Sequence, residues 1–197
     1  MVRTLAAVAA LAVGLTAAHA QTRSTGKLPG TLDVFDDAKL FTPDGVAKAK
    51  EKLRATEFHQ GLTVTVDTVS EVPAEKKTAA EAASHDAAKW RAFMLDWARD
   101  NAKHDRAKGI YVLVTTAPVG GVAVIADRQT TDRGFTQAND DRVREILAAA
   151  FKEAKAETNP TKQQEIRSAA LLKAVEYIVA DLRDTRVAGA TAGGPAP

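Results

Sequence analysis

Four aspartates, Asp36, Asp105, Asp127 and Asp132, stand beside the ends of expected strands or helices. Carboxylates brought together from separate loops are what an oxygen-liganded cation requires. Calcium or magnesium suits such a set better than zinc. Arg128 and Arg133 flank the last two acids, and a guanidinium is a bidentate partner for a phosphoryl group. Together these residues would serve a metal-assisted phosphatase. One divalent cation held by Asp36, Asp105 and Asp127 would polarise a phosphoryl oxygen, and Arg128 or Arg133 would hold the phosphate. A plainer reading competes with it: Asp36 or its neighbour Asp37 turns or caps the chain, and the others are solvated loop charges beside Arg106, Arg128 or Arg133. The plainer reading is preferred, because no calcium-loop spacing of the EF-hand kind occurs.

Other chemistries find less support. The chain has no cysteine, which removes thiolate nucleophiles and cysteine-based zinc sites. His59, His85 and His104 are scattered, without the spacing that would bring two onto one metal. Ser70, Ser84 and Ser168 lie in no nucleophile elbow, and neither a Walker nor a Rossmann glycine pattern occurs. Asp140 and Asp141 fall in the first turns of an expected helix, where the helix dipole accounts for them. With no recognisable catalytic constellation, a binding or scaffolding module is the preferred functional class.

The elements that must position these residues are organised around residues 109–128. Two apolar runs, 110–114 and 122–126, are rich in β-branched residues and bounded by turn residues, as expected of strands at the centre of a sheet. The link between them fits an antiparallel hairpin. Upstream, residues 62–67 alternate strictly and predict a strand with one face better covered than the other. Thr42 and Pro43 open a helix. Residues 75–103 predict one long helical stretch with Trp90, Phe93, Met94 and Trp97 on a core-facing stripe. Thr136 can cap a helix through Ala154, and Thr158-Asn159-Pro160 separates it from a last helix ending near Arg183. A strand followed by a helical crossover to another strand implies a parallel pair. The expected architecture is therefore a three-layer α/β/α sandwich, with a mixed sheet and the antiparallel hairpin near its middle.

The first twenty residues read as a secretory signal peptide: Arg3, an apolar run, and Ala18-His19-Ala20 before Gln21. The run is shorter than the ~20 residues of a spanning helix. Export would end in a periplasm or outside the cell. Residues 21–30 read as a flexible lead-in, 31–184 as one domain, and 185–197 as a disordered, Gly/Ala/Pro-rich tail. Residues 1–20 hold one basic and no acidic residue, so the remainder has 26 Lys and Arg against 25 Asp and Glu, a net charge of +1. So even a balance argues against nucleic acid or an anionic membrane as the main partner.

Several local patterns, taken together, resemble the TPM domain family. Val34-Phe35-Asp36-Asp37-Ala38 followed by Leu40-Phe41-Thr42 is similar to the family's opening and first helix start, and residues 61–66 to its first strand. Trp97 is similar to the tryptophan ending the family's long helix, and residues 108–114 with 122–125 to its paired strands. The resemblance covers residues 32–184. After the second hairpin strand this chain has Asp127-Arg128-Gln129-Thr130-Thr131-Asp132, where family members commonly carry Gly-x-Gly-x-Glu. The resemblance implies an exported accessory domain that supports or modulates a membrane or envelope protein complex. Calcium binding or weak acid phosphatase activity, found in some members, is the alternative it implies.

Overall fold

The computed structural model describes residues 26–183. The expected signal peptide and the whole of the expected tail lie outside them. Gly30, Leu32 and Val34 alternate with Thr31, Asp33 and Phe35, and this stretch forms β1, Lys27–Asp36. The strand begins inside the expected lead-in, because Lys27, Leu28 and Pro29 pair antiparallel with Glu57–His59, β2. Between them runs α1, Pro43–Arg54, capped as expected: the Thr42 hydroxyl accepts the Gly45 N–H at 3.1 Å, and proline occupies the first turn. β3, Leu62–Val69, then lies parallel to β1.

The long helical stretch expected over 75–103 is divided. After a 3-10 turn, α2 is Lys77–Ser84 and α3 is Ala87–His104. At the break the Asp86 carboxylate accepts the N–H groups of Ala88 and Lys89, which satisfies donors that a helix start leaves open. β4, Ile110–Thr115, is parallel to β3, and β5, Gly121–Ala126, is antiparallel to β4. α4, Arg128–Thr131, α5, Gln137–Ala156, and α6, Pro160–Leu182, complete the described chain.

The sheet order is β2-β1-β3-β4-β5. The hairpin is thus on one side of the sheet rather than in its middle, with β5 outermost. The cause is β1: it adds to β3 on the far side and carries β2 with it, which moves the sheet's centre away from the hairpin. β4 nonetheless is buried along its whole length, as its unbroken apolar run requires.

Two apolar layers enclose the sheet. On one face Leu32, Val64, Val66, Val112 and Val124 pack with Leu53 of α1, Val143 and Leu147 of α5, and Leu171 and Ile178 of α6. On the other, Tyr111, Leu113 and Ala123 pack with Trp90, Met94 and Trp97 of α3. The Trp90 indole N–H donates to the Gly120 carbonyl at 2.8 Å, fixing the helix against the hairpin turn. Arg91 of α3 pairs with Asp141 of α5, and because these helices lie on opposite faces of β5, the pair reaches around the outermost strand. No described helix is long and apolar enough to cross a membrane.

Candidate functional site

α3 lies over β4 and β5 and leaves the same face of β1 and β3 open. Strand alternation decides what that face shows. Asp33 is opposite Thr65 and Phe35 opposite Asp67 in the parallel register, so these side chains share one face. Together with Thr63, and with Asp37, Asp105 and Arg106 along its sides, they border a groove of about 630 Å³. Phe35 is 59% exposed, unusual for a large apolar side chain on a regular strand. Asp33, Asp37, Asp67 and Asp105 give the groove four carboxylates, against Arg106 and Lys108.

Asp67 is the most constrained of the four. Its Oδ2 accepts the Tyr111 hydroxyl at 2.9 Å and the Asn101 amide at 3.5 Å. Burial pushes its carboxyl above the ordinary range; the bonds from Tyr111 and Asn101 oppose this, while the charges of Asp105 and Asp37 add to it. Burial, then the Asp67 charge, holds the Tyr111 phenol above its usual value. A phenol so shifted is no base near neutral pH. The groove also lacks a serine, cysteine or histidine along its border. Its chemistry is that of an acceptor for cationic donors beside an aromatic ring.

The aspartates expected to form a cation site are placed apart. Asp36 ends β1, and its carboxylate accepts the N–H groups of Leu40 at 2.8 Å and Phe41 at 2.9 Å and the Thr68 hydroxyl at 2.8 Å. It ties the strand to the start of α1, as the turn-capping reading expects. Asp127 lies at the opposite end of the sheet, where it caps α4 and accepts the Gly109 N–H at 2.8 Å. From the strand register, spacings of 3.3 Å along a strand and 4.8 Å between strands put these two carboxylates roughly 20 Å apart. Asp105 is at Asp127's end of β4, at the close of α3, and is exposed. Asp132 ends α4 and sits 3.7 Å from Arg128, whose side chain is 93% exposed. The expected convergence of Asp36, Asp105 and Asp127 on one cation is therefore not built. Among the described residues no group of three or more histidines or acids is placed to hold a metal ion.

Arg133, read from the sequence as a phosphate ligand, is buried instead. Its Nη1 donates to the Gly61 carbonyl at 2.7 Å, and the guanidinium lies 6.0 Å from the Phe58 ring centroid. Nε and Nη2 are buried without a partner, and burial lowers the group's pKa against the opposing charge of Asp127. Asp127 and Arg133 do share a smaller cleft of about 230 Å³ with Lys108. Arg128, Asp132, Asp36 and Asp105 do not line it. Asp140, in the first turn of α5, also differs from a plain surface acid. Its Oδ1 is buried and unpartnered, and burial, then the Asp141 charge, pushes its carboxyl up to about 7.

Sequence reasoning missed Asp33 and Asp67. The signal was present in the alternation of residues 62–67, whose less covered face runs Thr63, Thr65, Asp67. No protein-family model matches this chain, and neither a curated protein nor a solved structure shows significant similarity to it.

Proposed function

We propose that this chain is an exported, non-enzymatic accessory domain that supports or modulates a membrane or envelope protein complex, and that it engages its partner through the open face of β1 and β3. The observation that carries the reading is Phe35, exposed among four carboxylates on a rigid sheet. Asp33, Asp37 and Asp105 form no ion pair among the described residues, so their charge is available to a partner. The complementary segment is basic with one apolar anchor. Covering the exposed part of Phe35 is worth about 1–2 kcal/mol, and each rim ion pair about 0.2–1 kcal/mol. A contact of that strength suits reversible association. The resemblance to the TPM family and the signal-like first twenty residues support the location in a periplasm or outside the cell. The reading needs no bound calcium or magnesium. A metal-assisted phosphatase built on Asp36, Asp105 and Asp127 lacks support, because those residues do not meet.

Photo-crosslinking tests the proposal. A crosslinker replaces Phe35 in the intact chain, and a control replaces Lys50 on the exposed side of α1. In the native host, position 35 should capture an integral membrane or envelope protein that Lys50 does not, and Asp33→Asn with Asp105→Asn should weaken the capture. Equal capture from both positions, or none from position 35, refutes it.

A further inference from the structure

A second cavity lies on the opposite face of the sheet and toward its β5 edge, independent of the groove beside Phe35. The turn between β4 and β5, the second half of α5 and the first third of α6 enclose about 510 Å³. That volume is within the range of small-molecule sites. It also opens where β4 ends, on the carboxyl side of the parallel strands, the usual ligand position in open α/β sheets.

Its wall combines charge and apolar surface. Lys152, Lys155 and Arg167 line it, and no Asp or Glu does. Lys152 and Lys155 form no ion pair with any described acid. Arg167 is held rather than solvated: its Nη2 donates to the Gln163 side-chain oxygen at 3.2 Å, and its guanidinium lies 5.5 Å from the Phe151 ring centroid. Its Nε is buried without a partner. Phe151, Val119, Val122 and Ala148 supply the apolar part of the wall. The hydroxyls of Thr115 and Thr116 are already committed, to the carbonyls of Ala117 and Ser70, so the cations are the polar side chains left to recognise a ligand.

We propose that this cavity binds a small organic anion: an acid group that accepts hydrogen bonds from Arg167, Lys155 and Lys152, attached to an apolar body that lies against Phe151 and Val122. The acid is a carboxylate or a phosphate monoester, since a guanidinium with two ammonium groups suits both. Turnover is not part of the proposal.

The test uses the intact chain with four probes: 3-phenylpropionate, phenyl phosphate, inorganic phosphate and benzyl alcohol. Calorimetric titration and thermal unfolding should show that at least one of the two aryl anions binds and stabilises the fold, and that added salt weakens it. Inorganic phosphate should bind more weakly and benzyl alcohol least, as both the charge and the ring are used. Whichever aryl anion binds more tightly identifies the acid group. Arg167→Met should lower affinity about tenfold or more, the loss expected of a charge-assisted hydrogen bond. Should that variant not fold, Lys152→Glu with Lys155→Glu, both on exposed positions, should abolish binding while leaving the unfolding temperature of the free protein little changed. Absence of binding by both aryl anions at millimolar concentration overturns the proposal. So does affinity unchanged by these substitutions, or benzyl alcohol binding as tightly as the anions.

Discussion

Replacing Asp140 with asparagine should make this protein more stable at pH 8 and leave it unchanged at pH 4. The carboxyl is pushed up to about 7, first by burial and then by Asp141, from an ordinary value of 3.8. Between those two values the folded chain keeps a proton that the unfolded chain has released, so stability falls as pH rises across the window. Above it both states are ionised and the penalty is complete. A shift of about three units at 1.36 kcal/mol each sets a ceiling of about 4 kcal/mol. The side chain is only half-buried, so solvent screening reduces this to about 2 kcal/mol. The positive end of α5 already offsets part of the charge. Asparagine keeps the shape and an acceptor oxygen while removing the charge. Urea unfolding followed by circular dichroism at half-unit steps from pH 4 to 8.5 would read the difference, expected near 2 kcal/mol at pH 8 and vanishing towards pH 4. In thermal unfolding it corresponds to a rise of about 4–8 °C. A difference that is constant with pH, or a variant less stable at pH 8, would refute the reasoning.

Two further substitutions test the fold around the hairpin. Gly109→Ala should destabilise by at least about 3 kcal/mol in urea unfolding, since the glycine has φ of 77° and an added Cβ would stand 2.0 Å from the Thr63 carbonyl oxygen; a change under 1 kcal/mol would mean that β3 and β4 separate easily there. Arg133→Met should cost no more than about 1 kcal/mol or should stabilise, because it removes a buried charge with two unpartnered nitrogens in exchange for one bond to Gly61; a loss above about 3 kcal/mol by the same measurement contradicts that balance.

Much of the architecture could be read from local pattern. The β-branched runs of the hairpin, the Thr42-Pro43 cap and the Asn159-Pro160 break all became the elements they imply. The crossover after residues 62–67 produced the expected parallel pair of β3 and β4. β1 was harder to see. Its first residues, Lys27-Leu28-Pro29-Gly30, have turn composition, and its outward positions, Thr31, Asp33 and Phe35, face an open surface, so no apolar run marks it. The division between α2 and α3 depends on a single cap, Asp86, within an alanine-rich stretch of high helical propensity. The sites were less legible still. Asp36 and Asp127 look like ligands when only residue type is considered, but each is consumed by backbone N–H groups that the fold brings to it. Arg167 and Lys152 lie on different helices, and only the packing of α5 against α6 puts them around one cavity.

The ion pair of Arg91 with Asp141 has a consequence for self-association. A β-sheet can concatenate into an open-ended array only when both of its lateral edges accept a new strand. Here one lateral edge is clasped by two helices joined around it, whereas at the other β2 pairs with only the first three residues of β1. Strand addition is thereby opposed at the β5 edge and left open along the rest of β1, so the clasp works as a one-sided guard against extension of the sheet.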